Sequence, residues 1–180
     1  FMRPIVEILP AYADVIFDRQ VGGLATMTAA MGFGSLVTAA FVASRGGQLP
    51  YSRLFVYAGL ASAGFLILFD ITNWFWLAVL FLTAMSVALT FVGTGGQTML
   101  QFSVPDHMRG RVMSLFGMIF RGAPAFGALF IGWMAEFLGL RLPVLMVAIA
   151  TLLVFGWGAV RRPAWVAGLR TTGDQPERAY

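Results

Sequence analysis

The sequence reads as an all-α membrane protein, a bundle of six helices whose first member is truncated. Three features lead there. Of 180 residues, 59% are hydrophobic and 11% charged, with a mean hydropathy of +0.81, against about 45–50% and about 25% in an average soluble domain. Uncharged stretches recur at the length a bilayer demands, and arginine alternates between successive connectors. This composition excludes a water-soluble enzyme, a nucleic-acid-binding module and a disordered chain. The 12 cationic residues are all arginine and lie dispersed, so the basic pI near 10.3 does not point to nucleic acid. Cysteine is absent, which removes disulfides, thiol catalysis and thiolate metal sites.

A hydrocarbon core about 30 Å thick takes about 20 helical residues. Residues 1–17 come first: apolar but short, with Pro4, Pro10 and the charges Arg3, Glu7 and Asp14. They read as the outer part of a helix whose beginning is cut away. Uncharged runs from Gln20 to Ser44, Leu54 to Phe69 and Ile71 to Pro105 supply spans at about 21–44, 53–70 and 74–103. A further span at about 111–136 follows if one charge, Arg121, is tolerated inside Val112 to Ala135, and Leu142 to Val160 gives the last, at about 141–160. Residues 1–162 thus form one transmembrane bundle. Residues 163–180 are polar, with Pro163, Gly173 and Pro176, and form a tail. The runs are continuous rather than alternating, which argues against a β-barrel, because backbone in lipid must close its hydrogen bonds within each segment.

Orientation follows from the connectors. The second, fourth and sixth carry Arg45, Arg53, Arg109, Arg111, Arg161, Arg162, Arg170 and Arg178, whereas the first, third and fifth carry Arg19 and Arg141 with Asp18, Asp70 and Glu136. This alternation is a positive-inside pattern. It puts the even connectors and the C-terminal tail in the cytoplasm and the chain in the inner or plasma membrane. Trp74 and Trp76 suit the outer interfacial belt, and Trp157 and Trp165 the inner one.

Charges inside spans cost about 2.5–3.5 kcal/mol each on insertion scales, so they face a bundle interior or a water-filled cavity. At 100° per residue, Arg3, Glu7 and Asp14 fall on one helical face. That face suits the lining of a polar cavity, with Glu7 or Asp14 able to take up a proton; the structural alternative is a self-neutralising Arg3–Glu7 pair with Asp14 capping the outer loop. Arg121 sits near mid-depth on a stripe of small residues, Gly117, Ala125, Ala128, Gly132 and Ala135, beside Pro124, which removes a backbone donor. A Glu7–Arg121 contact across helices is open to the pair, and the alternative for Arg121 is to snorkel. Thr94 and Gln97, within Phe91-Val-Gly-Thr-Gly-Gly-Gln97, offer hydrogen bonds to a substrate or form a packing notch. Gly32, Gly34 and Thr38, with Ala30, read as a packing face. His107 stands alone, so no metal site is expected, and no phosphate-binding loop or base-activated serine is present. The expectation is a non-enzyme without cofactors.

The segment Pro105-Asp-His-Met-Arg-Gly-Arg-Val-Met-Ser-Leu115 resembles the P-x-x-x-R-G-R loop of major facilitator superfamily transporters. Ser44-Arg-Gly-Gly-Gln-Leu-Pro-Tyr-Ser-Arg53 resembles a degraded copy of that superfamily's G-x-x-x-D-R-x-G-R-R loop, keeping Arg45, Arg53 and Gly46-Gly47 but lacking the acid. Arg3-Pro-Ile-Val-Glu-Ile-Leu-Pro-Ala-Tyr-Ala-Asp14 and Phe120-Arg-Gly-Ala-Pro-Ala-Phe-Gly-Ala128 are similar to the enterobactin-exporter-type branch. The likeness spans residues 1–162, as the seventh to twelfth helices of that fold.

The resemblance implies two six-helix halves of inverted three-helix repeats with substrate between them, this chain being the C-terminal half and an N-terminal half its partner. It further implies proton-coupled efflux of a small amphipathic molecule, a siderophore or drug, by alternating access. Arg3, Glu7, Thr94, Gln97 and Arg121 would line the cavity, Glu7 and Asp14 would be the proton-coupling candidates, and Arg45, Arg53, Pro105, Arg109, Gly110 and Arg111 would form the cytoplasmic motifs. An importer of the same superfamily, a non-transporting polytopic subunit or receptor, and a membrane-embedded enzyme are the alternatives. Expected partners are the lipid bilayer, protons and a small-molecule substrate.

Overall fold

The computed structural model describes residues 5–45 and 51–160, and every regular element in them is helical. Arg3, the glycine pair Gly46-Gly47, Trp165, and the tail at 163–180 lie outside the described residues. A short helix α1 (Ile5–Ala11) runs into a π-helical turn (Tyr12–Ile16). Then come α2 (Gln20–Arg45), α3 (Tyr51–Ile71), α4 (Phe75–Ser103), α5 (Asp106–Leu138) and α6 (Arg141–Val160). Five of these, α2 to α6, are long and apolar enough to cross a membrane. The π turn winds less per residue than α1 and so turns Asp14 modestly relative to Glu7; both acids are exposed.

Local chemistry sets the helix ends. Asp18, at φ 49°, closes the first segment in the left-handed region that Asp tolerates better than most residues, and the Arg19 amide donates back to the Ala13 carbonyl. Val104 is extended, as the residue before a proline must be, and Pro105 then caps α5. Gly139, at φ 75° and ψ 170°, ends α5, its amide bonded to the Ala135 carbonyl. Two connectors are consequently shorter than the charge pattern suggests. Arg109, Gly110 and Arg111 lie on the first two turns of α5 rather than in a loop, and Glu136 lies on its last turn.

The bundle is organised around α3 and α4, which lie against each other along their length; α2 covers α4 and α6 covers α3. Close approach is built in at two glycines. A Cβ on Gly34 would stand 2.6 Å from the Thr83 carbonyl oxygen, and one on Gly59 would stand 2.1 Å from the Phe155 ring. The buried cluster of Leu9, Tyr12, Met27, Leu66, Phe69, Leu82, Met85, Ile131 and Val144 gathers contributions from every helix. By contrast, α5 touches α6 and α1 only lightly, and 6% of its spanning window is buried against 39% for α3. Most of its surface therefore faces away from this bundle. At 33 residues it is about 50 Å long, well beyond a hydrocarbon core of about 30 Å.

Candidate functional site

Polar side chains at bilayer depth sit on α1, α4 and α5. Arg121 occupies the middle of α5, exposed, and forms no hydrogen bond or ion pair with a described residue. Its stripe is open: a Cβ on Gly117 or Gly132 would meet nothing within 4 Å. The small residues thus leave room beside the guanidinium instead of drawing a neighbouring helix of this chain against it. Pro124 lies within α5 without ending it.

On α4, Gly93 faces α5, where the tip of the Phe120 ring would lie 3.6 Å from an added Cβ. Phe120 stacks on Phe116 with centroids 5.3 Å apart. One turn along from Gly93, on the same side of the helix, Gln97 is exposed, and Thr94 is half-buried between them. Because α4 and α5 run antiparallel, Gln97 and Arg121 lie on opposite sides of the Gly93–Phe120 approach, about 7 Å apart along the axes. Across the notch, Gly96 lies close to Phe55 of α3, so the glycines of this segment serve packing on one side while the polar groups stay open on the other.

Glu7 is exposed on α1, and Asp14 is exposed on the π turn. Although α1 touches α5, no ion pair joins Glu7 to Arg121 among the described residues. Counted from the helix ends at Phe17 and Leu138, Arg121 lies about seven residues deeper than Glu7, or about 10 Å along the axis. Ile131, the α5 residue in the buried cluster, lies nearer the end of the helix.

At the opposite end of the bundle, Pro105 is exposed and accepts from the Met108 amide; Arg109, Gly110 and Arg111 are exposed on the first turns of α5. Arg45 lies in the last turn of α2, where a cation is favoured by the helix dipole, and stands 5.3 Å from the Phe41 ring centroid. Arg53 falls in the first turn of α3.

Two polar groupings escape a reading of the sequence. Asp70, placed by its charge in a connector, is instead in the last turn of α3 and 3% exposed. The Tyr12 hydroxyl of the π turn donates to its Oδ1. Nearby, Arg141 at the start of α6 donates to Asn73 Oδ1 at 2.5 Å. The second grouping is a hydroxyl seam between α2 and α4. Ser86 donates to the Met31 carbonyl at 2.5 Å, the Ser35 and Ser86 hydroxyls lie 2.9 Å apart, Thr90 donates to Ser35 at 3.2 Å, and Thr38 donates to the Val87 carbonyl at 3.3 Å. Gly34 and Thr38 thus serve the packing face expected of them, while Gly32 opens onto empty space. No periodicity links residues about fifty positions apart, so only the fold reveals either group.

The geometry is that of a helical membrane bundle with open polar groups at mid-depth. A sequence profile described as the Major Facilitator Superfamily matches residues 6–177. Searches of the curated proteins and of the solved structures each found no match. With the profile covering nearly the whole chain, the protein belongs to the Major Facilitator Superfamily, a family of membrane transporters.

Proposed function

We propose that this chain is the C-terminal half of a secondary active transporter that exports a small amphipathic molecule, a siderophore or drug, in exchange for protons. One observation carries the reading beyond family membership. Arg121 and Gln97 are exposed at bilayer depth on adjacent helices, and Arg121 has no partner among the described residues. A guanidinium in that position is costly against acyl chains and inexpensive beside water. The lightly packed α5 that carries it is free to face a second bundle across an aqueous cavity.

In this reading Arg121 supplies a fixed positive charge for an anionic or strongly polar part of the substrate. Thr94 and Gln97 offer hydrogen bonds, and the Phe116–Phe120 stack offers an apolar wall. Glu7, with Asp14, lines the same cavity nearer its outer end. The arginines at 45, 53, 109 and 111 hold the cytoplasmic ends of α2, α3 and α5 in position as the two halves rock, with the C-terminus on the cytoplasmic side. No step of this cycle changes a covalent bond of the substrate, which fits a family of transporters.

The test uses the full-length protein reconstituted in vesicles loaded with ethidium or with a catecholate siderophore. An imposed pH gradient is expected to accelerate flux in the efflux direction. Arg121→Ala is expected to abolish that flux while inserting normally, and normal flux by the variant removes Arg121 from the site.

A further inference from the structure

Three separate segments converge where α3 ends: the π turn brings Tyr12, α3 brings Asp70, and α6 brings Arg141. Asp70 is 3% exposed and Tyr12 1%. The Tyr12 ring lies against Phe69 with centroids 5.0 Å apart, so its hydroxyl is held at the carboxyl by packing as well as by its bond. The cation that could neutralise Asp70 is engaged elsewhere. Arg141 acts electrostatically on both Asp70 and Tyr12, but its guanidinium donates to Asn73. Of the other helix packed against α3, α4 carries no titratable side chain from Phe75 to Ser103.

A buried carboxylate whose one hydrogen-bond donor is neutral, with the nearby cation bonded to Asn73, is an expensive arrangement for a purely structural role, since a hydrophobic residue of similar volume would serve as well. It suits a group that exchanges a proton. A tyrosine hydroxyl serves either state: it donates to a carboxylate and accepts from a carboxylic acid. The adjoining Ile71, Asn73 and Trp74 are all exposed, so the carboxyl lies at the edge of the bundle.

The π turn adds a mechanical consequence. Tyr12 lies five residues beyond Glu7 on the same short helical segment, and π-helical turns are rare and recur at functional sites. We propose that Asp70 takes up and returns a proton at the outer end of the bundle, with Tyr12 the positioning residue that ties its protonation to the seating of the first helix. With Asp70 ionised, Tyr12 is held and α1 is docked on the bundle. Proton uptake from the outer aqueous phase converts the carboxylate to an acid, weakens that bond, and frees α1 to move with the cavity residues it carries. This inference rests on reading the chain as a proton-driven carrier.

The experiment is an infrared titration of the full-length protein in phosphatidylethanolamine–phosphatidylglycerol vesicles, following the carbonyl stretch of protonated carboxylic acids. Hydrogen exchange of residues 8–17, read by mass spectrometry, accompanies it. As pH falls, a carboxylic-acid band should appear and exchange of that segment should quicken over the same range. Asp70→Asn should abolish that component and leave exchange insensitive to pH. Tyr12→Phe should keep the band but move its midpoint upward by about one pH unit, because the carboxylate has lost a donor. Glu136→Gln should change neither. A full band and pH-dependent exchange in Asp70→Asn overturn the proposal. If that variant does not fold, an unmoved midpoint in Tyr12→Phe overturns it instead. Vesicle flux that ignores a pH gradient while Asp70 titrates as described defeats the proton-driven reading and leaves the Asp70 site standing.

Discussion

Replacing Gly34 by Ala puts a methyl group into the tightest backbone approach between α2 and α4. The new Cβ would lie 2.6 Å from the Thr83 carbonyl oxygen, 3.2 Å from Ser86 Oγ and 3.3 Å from Ser86 Cβ. Ordinary carbon–oxygen contacts fall at about 3.3–3.6 Å, so the two helices must separate locally by the better part of an ångström. The obstructing atom belongs to backbone and cannot rotate aside. Overpacking of this kind costs about 1–3 kcal/mol. The same movement stretches the hydroxyl seam, where the Thr38–Val87 bond at 3.3 Å has least to spare and the Ser86–Met31 and Ser35–Ser86 contacts follow. Such interhelical bonds average about 0.6 kcal/mol each in membrane proteins. Set against a gain of at most about 1 kcal/mol from replacing a helical glycine by alanine, the net loss is about 2–4 kcal/mol.

Gly32 supplies the internal control. It lies two residues away on the same helix, and an added Cβ meets nothing within 4 Å. Gly32→Ala should be neutral or slightly stabilising, since only the propensity gain remains. The assay is thermal or urea unfolding of both variants in one detergent, read by circular dichroism. Gly34→Ala should unfold clearly earlier than wild type, and Gly32→Ala should not. Equal stability of the two variants refutes the argument, because the spatial difference between the glycines is then without energetic effect.

Gly59→Ala should destabilise by about 1–3 kcal/mol through the Phe155 ring; the double variant Gly59→Ala/Phe155→Leu should recover part of the loss in a double-mutant cycle, and strict additivity would argue against the contact. Gly139→Ala should cost about 1–3 kcal/mol, since φ 75° with ψ 170° is a region only glycine enters freely; unchanged unfolding there would mean that the α5 terminus is not fixed as described. Arg121→Lys should retain part of the flux that Arg121→Ala loses, because it keeps the charge without the planar fork; equal flux from Lys and wild type would reduce the role of the residue to charge alone. Gln97→Ala should raise the substrate concentration needed for half-maximal flux several-fold without altering insertion, and an unchanged value would remove Gln97 from the cavity.

Whatever is decided by transfer from water to lipid was legible in the sequence. Spans declared themselves because an uncharged run of bilayer length has one stable conformation in lipid. Charge proved a poorer marker of helix termini. Arginines at 109 and 111 suggested a loop, yet a helix in a membrane does not stop where lipid stops; it continues until a backbone signal such as Pro105 or Gly139 ends it. The winding of residues 12–16 was hidden for a related reason, since a π turn depends on what Tyr12 reaches and not on the residues of the turn alone.

Asp70 shows the limit most clearly. By sequence it is one acid at the margin of an apolar run, indistinguishable from Asp18 or Glu136, and water is the default destination of all three. The structure separates them: Asp18 takes a left-handed turn and stays exposed, Glu136 remains on the exposed surface of α5, and Asp70 is enclosed. The difference comes from Tyr12, 58 positions earlier, and from the start of α6, 71 positions later. Arg121 is the converse case. Its position inside a span marked it at once, because nothing local could account for a guanidinium at that depth. A charge whose neighbours in sequence cannot explain it points to a site; a charge whose neighbours can explain it is silent until the fold is known.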